Sequence, residues 1–114
     1  MLKNIQQRLA AISYPIRTIT AALAAEEMSN NQGCLIDVRE PAEVQNEPVD
    51  GALNIPRGVL EMKMLEQFLD EGKPIYIHCA SGVRAQLSAE QLLNMGYTNV
   101  TVITCNITQI KQHF

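Results

Sequence analysis

Leu2, Ile5, Leu9 and Ile12 recur at three- and four-residue intervals, the spacing that lines side chains along one stripe of a helix. An amphipathic helix is therefore expected over residues 2–12, packed through that stripe on the domain or on a second copy of it. A helix lying on a membrane surface is the weaker reading, because its polar face carries only Lys3 and Arg8. Tyr14-Pro15 ends the segment, since the residue before a proline is pushed out of helical geometry. Thr20 is placed to cap a second helix, AALAAEEMSNNQ, which Asn30 to Gly33 terminate.

Beyond Gly33 the pattern changes period. CLIDV (34–38) is a short, near-continuous apolar run closing on an acid, as a strand buried on both faces reads. ALNIP (52–56) is a second strand candidate. GVLEMKMLEQFLD carries Leu60, Met64, Leu65 and Phe68 at helical spacing and stops at Gly72. PIYIHC is a third strand, and RAQLSAEQLLNMG a helix with Leu87, Leu92 and Met95 inward and Gly96 as its C-terminal cap. NVTVIT is a β-branched strand, and the last nine residues form a short helix. Strands alternating with helices predict an α/β fold: βαβ units, a parallel sheet and helices on both faces. Right-handed crossovers gather the C-terminal ends of the strands on one edge, where open α/β sheets bind ligands.

Length and composition narrow the picture. The chain has 114 residues, 46% hydrophobic and 18% charged, enough for one core and too few for two. It divides into an N-terminal helical extension, 1–15, and a domain, 16–114. A formal net charge of -3 without basic clusters argues against a nucleic-acid partner. Three cysteines without CxxC spacing fit neither a zinc site nor a disulfide scaffold, and a reducing compartment suits them. Lys3, Asn4, Gln6, Gln7 and Arg8 interrupt the N-terminus, unlike the core of a signal peptide. No run approaches the ~20 apolar residues of a membrane span, so no membrane partner is expected and a cytoplasmic location is.

Cys79 carries the chemistry. A cysteine after an apolar strand is by default an inert core residue. The loop CASGVR tips the reading, because its composition and arginine do nothing for packing. Small residues with one glycine let successive backbone N–H groups turn inward around an anion. The following helix adds its positive end, worth at most ~2 kcal/mol, and Arg84 adds a permanent charge. Thiols so placed have pKa values of roughly 3.5–7.5, so Cys79 is expected to be a nucleophilic thiolate. A phosphate-cleaving cysteine loop has five residues between Cys and Arg, whereas only Ala80, Ser81, Gly82 and Val83 intervene here. The tighter ring suits one extra sulfur atom better than a tetrahedral phosphate.

CLIDVREPAE (34–43), GALNIPRG (51–58), HCASGVRA (78–85) and GYTNV (96–100) together resemble the single-domain rhodaneses. The resemblance covers roughly residues 18–104. It implies a rhodanese-like three-layer α/β/α fold with a mainly parallel central sheet of about five strands. It further implies a sulfurtransferase in which Cys79 takes a sulfane sulfur from thiosulfate or a similar donor, releases sulfite, and passes the sulfur to cyanide or a thiol. The acceptor could be a small molecule or a protein cysteine, and the enzyme a monomer or weak dimer. The persulfide would be held by the amides of Ala80, Ser81, Gly82, Val83 and Arg84. Ser81 could add its hydroxyl or simply face solvent, and Arg84 would help bind the donor. No metal or organic cofactor is implied. The alternatives are a non-catalytic rhodanese-like interaction module and, less favoured, a cysteine-dependent phosphatase or arsenate reductase.

Accessory positions divide similarly. Asp37 and Arg39 read as a buried brace rather than substrate contacts, and Arg57 as a solvated arginine rather than an anion anchor. His78 reads as a satisfied core histidine rather than a general base, and Cys34 as core. Cys105 falls on the catalytic edge, where it could take sulfur from Cys79 or pair with it; otherwise it is a packed thiol. The sequence departs from the family pattern at Val44 and at Glu47-Pro48-Val49-Asp50-Gly51. Thr104-Cys105-Asn106 replaces the usual paired-glycine turn, and there is no tryptophan.

Overall fold

A computed structural model describes all 114 residues. Its elements are α1 (Ile5–Ala10), β1 (Arg17–Ile19), α2 (Ala21–Asn31), β2 (Cys34–Asp37), α3 (Pro41–Asn46), β3 (Ala52–Asn54), α4 (Leu60–Gln67), β4 (Ile75–His78), α5 (Val83–Met95), β5 (Val100–Ile103) and α6 (Ile107–His113). The five strands form one parallel sheet in the order β1-β5-β4-β2-β3. Parallel order requires every connection to cross over a face, and helices duly cover both.

Period-two alternation along the strands divides the core. Ile36, Ile75, Ile77, Val100 and Val102 pack with Leu60 and Met64 of α4 and Ala85, Ala89 and Leu92 of α5. Leu35, Tyr76 and Ile103 pack instead with Ala21 and Ala24 of α2 and Ile110 of α6. This is the layered α/β/α sandwich the strand–helix alternation predicts.

Capping explains several boundaries. Thr20 Oγ1 accepts the Leu23 N–H at 3.3 Å. Gly96 closes α5 at φ 113°, a left-handed value that a side chain would strain. The Asn4 side chain accepts the Gln7 N–H while Gln7 accepts the Asn4 N–H, so α1 begins at Ile5. Here the expected helix over 2–12 is too long: Leu2 and Ile5 are exposed, while Leu9 and Ile12 are half-buried. Polar contacts tie α1 and the segment after it to α5: Arg8 Nη2 donates to Glu90 Oε1 at 2.7 Å and Tyr14 Oη to Asn94 Oδ1 at 2.9 Å.

α4 likewise ends earlier than its apolar spacing suggests. Phe68 turns extended to pack on the α4–α5 side of the core, and Tyr97 Oη donates to its carbonyl at 2.7 Å. Leu65, at helical spacing with Leu60 and Phe68, is 55% exposed, because only Leu60 and Met64 of this short helix are buried.

Two elements have no counterpart in the pattern reading. β1 is three residues with a largely exposed pattern, held by pairing Arg17, Thr18 and Ile19 with Thr101, Val102 and Ile103. α3 starts with Pro41 at its first turn, where a missing N–H costs nothing. At its N-terminus the Glu43 side chain accepts the Glu40 N–H at 2.9 Å, while the Glu43 N–H donates to the Glu40 carbonyl at 3.0 Å.

Candidate active site

Cys79 follows directly on His78, the last residue of β4, in the middle of the sheet and at its C-terminal edge. Gly82 caps α5 at φ 98°. That left-handed conformation, open to glycine without penalty, turns the backbone so that the Gly82 N–H donates to Cys79 Sγ at 3.0 Å. The Ala85 N–H donates to the same sulfur at 3.4 Å. The latter amide lies in the first turn of α5, where N–H groups have no helical partner. The sulfur therefore sits at the positive end of a helix, with two backbone N–H groups aimed at it.

The thiol is 1% exposed and belongs to the apolar cluster formed with α4 and α5. Cys79 is thus packed and hydrogen-bonded at once, a more enclosed setting than the loop composition suggests. Of the amides expected around the sulfur, Gly82 donates, and Ala85, one residue beyond the anticipated ring, supplies the second bond. Ser81 is exposed and makes no side-chain hydrogen bond.

Arg84 does not turn its fork to the sulfur. Nη1 donates to Glu43 Oε2 at 2.6 Å and Nη2 to Glu43 Oε1 at 2.9 Å, a bidentate pair with α3. Glu43 Oε2 also accepts the Glu40 N–H at 2.9 Å. With the Arg84 guanidinium first and this amide second, its carboxyl is held down at about 2, and the Arg84 pKa is raised in turn. Sequence reasoning missed Glu43 as a partner. The Glu40–Glu43 spacing signals a capping box, but nothing local signals a contact 41 residues away.

Behind α3 lies a buried brace. Arg39 Nη2 meets Asp37 Oδ2 at 2.7 Å, and Arg39 Nε meets Asp37 Oδ1 at 3.0 Å. The same Nη2 donates to the Glu47 carbonyl at 2.8 Å, tying both ends of α3 to β2. Asn54 Nδ2 donates to the carbonyls of Asp37 and Arg39, each at 2.9 Å. The brace thus fixes the helix that carries Glu43.

His78 is fully buried with neither ring nitrogen hydrogen-bonded. A satisfied core histidine was expected; the residue is core but unsatisfied. Burial pushes its pKa down, against the opposing pull of Asp37, so the ring is neutral.

The remaining candidates lie apart from the sulfur. Cys105 Sγ accepts the Ala21 N–H at 3.3 Å and packs against the α2–α6 core, whereas Cys79 packs on the opposite side. The turn containing Cys105 does touch the loop: the Ile107 N–H donates to the Ala80 carbonyl at 3.2 Å. Arg57 pairs with Glu61 at 3.0 Å, and half-buried Cys34 has its thiol pKa raised by desolvation. No helix is long and apolar enough to cross a membrane.

Residues 20–113 match the model of the rhodanese-like domain family, and the chain belongs to that family. It is 39% identical over 66 residues to the uncharacterized protein YqhL of Bacillus subtilis, covering 58% of this chain and 51% of that one. It is 35% identical over 65 residues to the thiosulfate sulfurtransferase PspE of Escherichia coli, covering 57% and 62% respectively. The matches thus span about half to three-fifths of these relatives. Among solved structures, the single-domain sulfurtransferase RDL2 of Saccharomyces cerevisiae superposes with a TM-score of 0.67 at 29% identity, covering 86% of this chain and 90% of that chain.

Proposed function

We propose that the protein is a sulfurtransferase that carries a sulfane sulfur on Cys79. The observation behind this reading is the pair of amides, Gly82 and Ala85, converging on Cys79 Sγ at the N-terminus of α5. Likeness to PspE, a thiosulfate sulfurtransferase, adds support for the reaction class.

With thiosulfate as donor, the Cys79 thiolate uses a lone pair to attack the outer sulfur. The S–S bond of the donor breaks, and its electron pair leaves with sulfite. Cys79 then bears a persulfide anion, whose charge the helix-end amides stabilise as they stabilised the thiolate. An acceptor thiolate or cyanide attacks the terminal sulfur, forms a new S–S or C–S bond, and returns the pair to Cys79. No base is needed once the thiol is ionised, consistent with a neutral His78 that reaches no partner. The reduced state, with Sγ enclosed and already bonded to two amides, requires the loop to yield for the donor to reach the sulfur.

Intact-mass measurement after incubation with thiosulfate and removal of excess tests this. A gain of one sulfur atom, absent in Cys79→Ser and lost on adding cyanide, is expected. Hydrolysis of an aryl phosphate without any sulfur gain would replace this reading with a phosphatase.

A further inference from the structure

The only charged side chain in the cysteine loop, Arg84, is already occupied. Its two terminal nitrogens are spent on Glu43 at 2.6 and 2.9 Å, and Glu43 is locked from behind by the Glu40 amide and its place in α3. The pair is only part-exposed, with side chains 35% and 38% accessible. Solvent screens the pair in part, and added salt screens it further.

We propose that Glu43 sets the charge preference of the Cys79 site. By neutralising Arg84 and holding its fork toward α3, it disfavours small dianionic donors. It favours a terminal sulfane sulfur carried on an uncharged group, such as a peptide or protein persulfide, R–S–SH: Cys79 attacks the terminal sulfur, the S–S bond breaks, and the thiolate RS⁻ leaves with the electron pair. This rests on the sulfurtransferase reading and narrows its donor class; the transfer step itself is unchanged. Glu43 is a positioning residue, acting through Arg84. A donor such as thiosulfate must either displace the carboxylate from the guanidinium or bind beside it.

The test uses Glu43→Gln, whose amide oxygen can still accept from Arg84 while the negative charge is gone. Alkylation of Cys79, followed at the peptide level, compares iodoacetate, an anion, with iodoacetamide, its neutral counterpart of similar size. Under full water screening, a unit charge about 4 Å from an anion changes its rate by roughly fivefold. The iodoacetate-to-iodoacetamide ratio in Glu43→Gln should rise by about that factor over the native protein, and should fall in Arg84→Met. Both changes should shrink at 1 M salt, where the Debye length is about 3 Å. In sulfur transfer, the KM for thiosulfate should fall by a similar factor in Glu43→Gln, with kcat within about twofold.

An alkylation ratio unmoved by Glu43→Gln overturns the proposal, as does a raised ratio with an unchanged thiosulfate KM. Failure of native protein and variant alike to load sulfur at any thiosulfate concentration would instead strike the sulfurtransferase reading. The alkylation ratio, which needs no sulfur transfer, would still decide the charge preference.

Discussion

Asp37 and His78 are register partners across β2 and β4, yet no hydrogen bond joins them: Asp37 Oδ2 and His78 Nε2 stand 3.8 Å apart. The carboxylate spends its acceptor capacity on Arg39 instead. The histidine is left inside the domain with two polar atoms unpaired, which costs about 1–3 kcal/mol per group.

That arrangement makes the fold acid-sensitive. Desolvation, the largest influence, lowers the His78 pKa; Asp37 and the Cys79 backbone pull it up without overcoming that, and Arg39 lowers it further. Below the ordinary value of 6.5 the unfolded chain binds a proton that the folded chain refuses. Stability contributed by the neutral ring is therefore present above pH 6.5 and is lost as pH falls toward the lowered folded value. Urea denaturation at pH 7.5 and 5.5 should show this loss in the native protein. His78→Leu should be at least as stable at pH 7.5 and should show a smaller drop.

The Glu43–Arg84 pair gives a second pH dependence, in a lower window. Glu43 is depressed from 4.5 to about 2, so its contribution is present above 4.5 and vanishes as pH falls through about 2. More than a third of its side chain is exposed, and solvent screening limits the contribution to at most about 1 kcal/mol. Thermal melts of the native protein and Glu43→Gln should converge near pH 2 and separate by pH 6.

Breaking the buried brace should cost more. Arg39→Leu leaves Asp37 charged and unpaired among buried groups, a loss of about 3–5 kcal/mol. In denaturant titrations, Asp37→Asn combined with Arg39→Leu should cost less than the two single changes added together. Simple additivity would show that the two side chains do not act as a pair.

Gly82→Ala tests the turn that aims the amides. A Cβ there would meet nothing closer than Gln86 Nε2 at 3.7 Å and Thr104 Cα at 3.8 Å. Space is available, so the cost is the left-handed backbone alone, about 1–2 kcal/mol. The melting temperature should drop by several degrees, about 4–8 °C per kcal/mol for a domain near this size. Sulfur loading of Cys79 should slow more than tenfold as the loop relaxes away from φ 98°. Unimpaired loading would separate the glycine from the sulfur site.

How far the sequence could be read depended on whether the cause was local. β2, β4 and β5 were legible because strands buried on both faces require unbroken apolar runs. Thr20 and Gly96 marked helix ends because capping is settled within a few residues. Cys79 and Gly82 stood out because strand, small-residue loop and helix are contiguous in the chain. β1 was not legible: three mostly exposed residues carry no period, and only β5 makes them a strand. Leu65 looked like core because spacing gives a stripe but not its width. Arg84 could be placed at the helix start, but the direction of its fork depends on Glu43, delivered by a helix that the Asp37–Arg39 brace holds in place.

The strand order carries a consequence for synthesis. β1 pairs only with β5, and Arg17 meets Thr101 across 84 positions of chain, its Nη1 donating to Thr101 Oγ1 at 3.0 Å. A nascent chain that has left the ribosome only as far as residue 99 can align β2, β3 and β4, but its first strand has nothing to join. Closure of so distant a pairing is slow. Residues 17–19 of a stalled 1–99 fragment should remain open to protease until β5 emerges.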